Sequence, residues 1–491
     1  MPIDKNDLHQ PESLSKRVVR GGIWVFAMRI ANRSLGFIRT IILARLLAPH
    51  DFGLFGIAML TIATLETFSQ TGFQAALVQK KKNVEPYLDT AWTISAIRGI
   101  ILFLILFSSA PLIANFFDSA QATLIIKVIA VSTLLSGFRN IGIIFFQKEL
   151  EFNKQFLYEI SATLVDLTVA IILAFMLRNV WALVWGGLAA NFVRVFMSYI
   201  IHPYRPRIKF EKEKFQELFA FGKWVLGSSI LVFLITQGDD IFVGKMLGVT
   251  ALGLYQMAYL ISNLPATEIT HVISQVTFPA YSKLQDDLPK LREAYLKILQ
   301  LTTFISIPFA GGIFIFAPEF TKIFLGDKWM PMVPAIQVLV LAGLLRSISA
   351  TTGSVFQAVG KPEIVTKWQP VRLLVLAAVI YPFTLQWGIL GTSLAVVSCN
   401  LISTIGFSVK VVRITQCDAG SFLKRIILPS INTLAAISII VILKNTITTV
   451  RTLELILLSG ISILIYLGAT YISDKQTFLD IKKMSSIGKG K

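Results

Sequence analysis

Apolar residues run along this chain in long blocks separated by short polar turns. The blocks lie near residues 21–47, 52–79, 87–110, 121–147, 155–177, 180–201, 219–246, 251–275, 295–317, 332–359, 363–386, 388–412, 423–444 and 452–472. Each approaches or exceeds the roughly 20 residues that a helix needs to cross a bilayer, and the longer ones would tilt or project beyond it. The pattern predicts an all-α polytopic membrane protein of about fourteen transmembrane helices. The eighth block is the weakest, because Pro265, Glu268 and His271 interrupt it. Residues 1–18 are polar and the block after them is long and carries arginines, so it reads as an uncleaved first helix rather than a signal peptide.

Composition agrees. Of 491 residues, 54% are hydrophobic and 15% charged, against roughly 25% charged in a soluble chain. The blocks leave no room for a soluble domain of about 100 residues. Cys399 and Cys417 give no disulfide framework, and His9, His50, His202 and His271 show no metal-ligand spacing, so no metal or cofactor is expected. The net charge of +18 sits between the apolar blocks and accompanies no nucleic-acid-binding motif. One set of loops carries Lys16, Arg17 and Arg20, Lys80–Lys82, Lys148 and Lys154, and the stretch from Arg205 to Lys214. The same side holds Lys283, Lys290 and Arg292, Lys361 and Lys367, Arg413, Lys424 and Arg425, and the C-terminal lysines. The other side holds only Arg45, Arg178, Lys245, Lys322, Lys328, Lys444 and Arg451. The positive-inside rule then places both ends in the cytoplasm.

Residues 22–58 align without gaps on 222–258. Gly22, Trp24, Ile41, Leu47 and Ala58 recur as Gly222, Trp224, Ile241, Leu247 and Ala258, and Arg45 is answered by Lys245. Trp181, Leu188 and Ala189 recur 206 positions later as Trp387, Leu394 and Ala395. Six spans separate the copies, which predicts two pseudo-symmetric six-helix lobes in parallel orientation, a plan suited to alternating access. The expected organisation is an N-lobe at 1–201, a cytoplasmic linker at 202–224 and a C-lobe at 219–413. A further helix pair at 422–472 and a cytoplasmic tail at 473–491 complete it. From Lys209 to Trp224, phenylalanines alternate with charges at helical spacing. This fits either an amphipathic helix on the membrane face or an extension of the seventh span.

Charges within the blocks are costly in lipid and should face a bundle interior. Arg39, Lys127 and Arg194 lie near block ends, where snorkelling explains them. Arg29 and Arg33 share one helix face with Asn32 beside them, and Arg98, Arg346 and Arg372 lie near the middles of their blocks. A guanidinium stays charged and presents a planar fork to phosphate oxygens. These residues therefore suit an anionic, phosphorylated substrate, with internal ion pairing of Arg98 or Arg139 to Glu66 or Asp166 as the structural alternative. Glu66, Asp166, Asp239 and Asp240 are the candidates for coupling to a proton or sodium gradient. Asp239 and Asp240 are also close enough to a block end to be simply solvated. The chain has no phosphate-binding loop for ATP, no zinc-protease pattern and no outer loop long enough for a catalytic domain.

The segment from Arg39 to Lys82, RTIILARLLAPHDFGLFGIAMLTIATLETFSQTGFQAALVQKKK, resembles the opening of Wzx-type polysaccharide flippases. These belong to the multidrug/oligosaccharidyl-lipid/polysaccharide exporter superfamily. FFQKELEFNK (Phe145–Lys154) and SVFQAVGKP (Ser354–Pro362) resemble that family's fourth/fifth and tenth/eleventh helix junctions, nearest the branch serving colanic-acid-like and teichuronic-acid-like polymers. The resemblance implies a V-shaped pair of lobes plus two C-terminal helices in the bacterial cytoplasmic membrane. It further implies a polyprenyl-diphosphate-linked oligosaccharide as substrate, cavity arginines meeting the diphosphate, and a polysaccharide polymerase and chain-length machinery as partners. A drug/cation antiporter of the same superfamily, a lipid II-type flippase and a membrane polymerase or glycosyltransferase are the competing readings. An antiporter would need cavity acids and typically twelve spans, and an enzyme a larger outer loop than Pro318–Pro331.

Overall fold

The computed structural model describes residues 14–69, 73, 77, 84–264, 270–445, 452–475 and 478–479. All regular structure among them is helical: α1 (Leu14–Leu46), α2 (Pro49–Phe68), α3 (Glu85–Phe116), α4 (Gln121–Gly137), α5 (Ile144–Lys148), α6 (Phe152–Leu177), α7 (Trp181–Ile201) and α8 (Lys212–Leu247), followed by α9 (Val249–Ser262), α10 (Thr270–Leu284), α11 (Leu288–Phe320), α12 (Val333–Ala358), α13 (Glu363–Thr415), α14 (Ala419–Asn445) and α15 (Thr452–Ser473). Nine helical stretches among the described residues are long and apolar enough to cross a membrane, or ten if the bent pair α4–α5 is one broken span. The expected count of about fourteen exceeds this. α1, which carries arginines within its apolar run, and α8, which carries Asp239 and Asp240, are not among these nine, nor is the short α9. α13, at 53 residues, would be about 80 Å long if straight. It breaks at Gly388, whose φ of 58° is in the left-handed region, so that two apolar blocks follow one another without a loop. Pro265 and Glu268 fall outside the described residues.

Large apolar side chains such as Leu104, Phe175, Met176, Phe192, Leu374, Leu385, Ile442 and Leu464 are exposed on these helices. Apolar surface on this scale requires a lipid solvent. The helices therefore pack on small residues. α3 and α4 cross at Gly99 and Gly137, where a Cβ on Gly137 would stand 2.8 Å from the Ser95 carbonyl oxygen.

The chain forms two compact units, residues 1–233 and 234–491. In the first, α6 pairs with α1 and α7, and α3 with α4. Leu43, Leu47, Ala170, Ala174, Ala182 and Leu183 form a core at one end, and Phe73, Leu77, Val84, Leu88, Ala91 and Ile144 at the other. In the second, α12 packs against α11, α13, α10 and α9 around Tyr281, Tyr295, Ile348, Phe356 and Phe407. The last two helices join this unit. Lys444 pairs with Glu319 at 2.5 Å, Tyr466 donates to the Phe304 carbonyl at 3.0 Å, and the Asn432 amide donates to Thr470 and Ser473.

The segment from Lys212 is continuous in one helix, α8, with the seventh apolar block. At its start, Phe215 meets Phe73 at 6.0 Å, and Lys214 donates to the Pro86 carbonyl at 2.8 Å. Upstream, residues 204–211 are tied to the start of α3. The Arg207, Lys209 and Glu211 amides donate to Asp89, Thr93 and Thr90.

The repeat has a structural counterpart. α1 and α8 end, and α2 and α9 begin, at matching places in the 200-residue register. Leu150 and Gly360, and likewise Arg178 and Gly388, are left-handed residues 210 positions apart.

Candidate functional site

The first unit holds Arg29, Asn32, Arg33, Arg98, Glu66 and Asp166. The second holds Arg346, Arg372, Asp239 and Asp240. On α1, Arg29 is partly buried and Arg33 exposed. Asn32 accepts a hydrogen bond from the Thr163 hydroxyl at 2.8 Å, which fixes this face of α1 against α6. One turn and more further on, Arg39 makes an ion pair with Asp166 at 2.9 Å, with the two side chains only 17% and 24% exposed. Snorkelling does not describe Arg39, and the partner of Asp166 is neither Arg98 nor Arg139. The reason is helix pairing: α1 lies along α6, so residues 127 positions apart in sequence face each other. Arg139 instead donates to Asn191 at 2.7 Å, and Arg194 reaches Glu159 at 3.5 Å rather than only the headgroups. Lys127 lies over the Phe107 ring, 4.9 Å from its centre.

Arg98 is occupied by backbone. Its Nη2 donates to the Glu66 carbonyl at 3.0 Å, and its Nε to the Ser69 carbonyl at 2.9 Å and hydroxyl at 3.1 Å. These groups end α2, where carbonyls lack helical partners, so Arg98 caps that helix. The Glu66 carboxylate adds electrostatic attraction. These contacts engage Nε and Nη2 of the guanidinium.

The second unit gathers residues that sequence reasoning had divided between two roles. Asp239 and Asp240 are 1% and 8% exposed, so they are not solvated at a helix end. The Tyr255 hydroxyl, itself fully buried, donates to Asp239 Oδ2 at 2.7 Å. Among the described residues, Oδ1 of each aspartate is buried without a hydrogen-bond partner. Arg346 lies within electrostatic range of Asp239 and donates to the Tyr259 hydroxyl, with its guanidinium carbon 5.1 Å from that ring's centre. Arg372 donates to Asn400 Oδ1 at 3.1 Å and Gln369 Oε1 at 3.2 Å, and Arg346 is among its charged neighbours. The cluster thus has two acids, two guanidiniums and two tyrosines, held by α8, α9, α12 and α13. The tyrosines and Asn400 were missed in the sequence, where only the positions aligned with Phe55 and Met59 could have drawn attention to Tyr255 and Tyr259.

The junction motifs act as turns. In FFQKELEFNK, Phe145 stacks on His202 at 5.3 Å and Leu150 adopts φ 60°. In SVFQAVGKP, Gly360 adopts φ 69° and the Lys361 amide donates back to the Phe356 carbonyl at 2.8 Å. His202 lies just beyond α7, and burial there, with Lys154 nearby, holds its imidazole below the ordinary histidine range. No group of three or more metal-ligating side chains occurs among the described residues.

The fold resembles the solved structure of lipid II flippase MurJ in its inward closed conformation, with a TM-score of 0.73 at 17% identity over 93% of this chain and 99% of that one. An inward-facing multidrug resistance MATE family transporter of the MOP superfamily gives a TM-score of 0.61 at 16% identity, over 79% and 99% of the two chains. In sequence, the lipopolysaccharide biosynthesis protein WzxC of Escherichia coli is 27% identical, with 80% of each chain covered. The teichuronic acid biosynthesis protein TuaB of Bacillus subtilis is 25% identical over 74% of this chain and 75% of its own. The succinoglycan biosynthesis transport protein ExoT of Rhizobium meliloti is 21% identical over 88% and 87%. Residues 42–334 match the family described as polysaccharide biosynthesis protein, and on that match across more than half its length the chain belongs to this family.

Proposed function

We propose that this membrane protein is a flippase. It carries a polyprenyl-diphosphate-linked oligosaccharide repeat unit across the cytoplasmic membrane, from the inner to the outer leaflet, by alternating access. The product feeds an exopolysaccharide or O-antigen-type polymer. The observation that carries this reading is the family match over residues 42–334, together with relatives named for polysaccharide biosynthesis and transport. It works as a transporter and not as an enzyme, in keeping with its transporter-like fold. Both termini lie in the cytoplasm, as the loop lysines and arginines require. A polymerase and chain-length machinery would take the product.

Arg29 and Arg33 are the residues we assign to the diphosphate, with Asn32 holding their helix face against α6. Arg346 and Arg372 serve the anionic substrate from the second unit. Asp239 and Asp240 are our candidates for coupling to a proton or sodium gradient, because a buried carboxylate with an unpartnered oxygen can gain a proton or a cation. Asp166 and Glu66 suit that role less, since one is committed to Arg39 and the other lies beside Arg98.

Proteoliposomes loaded with a fluorescent polyprenyl-diphosphate oligosaccharide test the reading. The chain should expose the lipid to an outer-leaflet probe, and Arg29→Ala/Arg33→Ala should slow this by tenfold or more. Equal rates with and without protein would refute the function, and equal rates in parent and variant would remove the two arginines from it. The buried acids also favour a second reading, a cation-coupled drug exporter. Efflux of cationic dyes that is lost in Asp239→Asn would support that one.

A further inference from the structure

Away from the clusters above, the first unit contains a cavity of about 600 Å³ at the end where α1 turns into α2, α3 into α4 and α6 into α7. This is the range of small-molecule sites. His50, Asp51, Gln121, Lys127, Asn179 and Trp181 line it among apolar neighbours. The walls are fixed by polar contacts between the turns. Asp51 accepts from the Ala48 amide at 2.9 Å and the Val180 amide at 3.0 Å, which ties the α1–α2 turn to the α6–α7 turn. His50 Nε2 and Gln121 Oε1 stand 3.1 Å apart, linking α2 to α4, and Asn179 Oδ1 accepts from the Trp181 amide at 3.1 Å. Asp51 and the two amide oxygens are thus engaged. Among the described residues, the N–H₂ groups of Gln121 and Asn179 and the indole N–H of Trp181 are not engaged, and the Lys127 ammonium, which lies over the Phe107 ring, has no carboxylate partner.

That set is specific in kind. Planar amides pair with neighbouring hydroxyls as donors, an indole covers a flat C–H surface while offering one N–H, and a lone ammonium favours one negative charge. We propose that the cavity is a saccharide subsite that takes a hexose ring bearing an anionic substituent. The inference deepens the flippase reading and rests on it for its place in the cycle. The cavity lies at the end of the helices opposite the lysine-rich loops, where the glycan would arrive after crossing.

The test uses the full chain in phosphatidylcholine nanodiscs and isothermal titration with three probes. These are a glucuronate-containing tetrasaccharide, a neutral glucose tetrasaccharide and glycerol phosphate, the last standing for a lipid headgroup. The acidic tetrasaccharide should bind about tenfold more tightly than the neutral one. Gln121→Ala and Trp181→Ala should each weaken it by a similar factor, and Lys127→Gln should abolish the preference for the acidic probe. Trp181→Phe retains an aromatic face and should retain binding, which separates loss of stacking from loss of folding. Absence of binding, unchanged affinity in the Gln121 and Trp181 variants, or binding of glycerol phosphate as tight as the acidic sugar would overturn the proposal. Flipping in proteoliposomes is measured in parallel. Translocation without saccharide binding sinks the subsite alone, whereas binding without translocation sinks the transport reading and leaves the subsite.

Discussion

Replacing Asp166 by Asn strands Arg39 within the helical packing of the first unit. The ion pair is 2.9 Å long and its side chains are 17% and 24% exposed, so water screens it only in part. At an effective dielectric constant of about 20, unit charges at that separation attract by about 6 kcal/mol. Desolvation offsets a large share of this in the intact pair, but removing one partner leaves the other's desolvation uncompensated. The net loss expected for Asp166→Asn is about 2–4 kcal/mol. For a unit of this size that corresponds to a melting temperature lower by about 5–15 °C. The assay is thermal unfolding in nanodiscs of the parent, Arg39→Ala, Asp166→Ala and the double variant. A coupling energy of about 2 kcal/mol, or roughly thirtyfold in the unfolding equilibrium, is expected. The swapped pair Arg39→Asp/Asp166→Arg should recover much of the loss, since the repeat itself places Asp239 at the position aligned with Arg39. A coupling under about 0.5 kcal/mol would refute the reasoning, because the two side chains would then be acting independently.

Arg98→Ala removes three hydrogen bonds from the end of α2 and should cost about 2–3 kcal/mol of stability. If Arg98 contacted substrate instead, the same variant would keep its melting temperature and lose affinity. Tyr255→Phe withdraws the buried donor to Asp239, so the pH dependence of transport should shift while Tyr259→Phe leaves the Asp239 contact intact; identical pH profiles in parent and Tyr255→Phe would remove the tyrosine from the coupling scheme. Gly137→Leu sets a side chain against the Ser95 carbonyl at the α3–α4 crossing and should reduce folded protein in the membrane, whereas Gly36→Ala, with open space around it, should not. The depressed His202 means that the unfolded chain takes up a proton at higher pH than the folded one. Stability should therefore be intact above the unfolded pKa of about 6.5 and decline as pH falls below it, and His202→Gln should flatten that decline.

The helices were legible because bilayer crossing imposes length and apolarity on the sequence directly. The repeat was legible too, since Gly22, Trp24 and Leu47 and their copies keep one register. The partners of the charged residues were not. Arg39 meets Asp166 only because α1 packs along α6, and block hydropathy carries no information about which helices are neighbours. Arg98 binds carbonyl oxygens, which every residue has and no sequence pattern marks. Proximity to a block end suggested solvent for Asp239 and Asp240, but packing against α9 buries them. In the linker, the spacing of phenylalanines and charges did not reveal that Phe215 would meet Phe73.

The clip between Lys444 and Glu319 has a consequence for engineering. The terminal helix pair could be taken for a detachable appendage, because it lies outside the repeat in the sequence. Deleting it would strip the counter-ion from Glu319, whose side chain is only 16% exposed, and leave the Phe304 carbonyl without its phenol donor. A shortened chain would carry that orphaned carboxylate into the bilayer. Chimeras that exchange this pair between relatives should therefore graft α11 along with it.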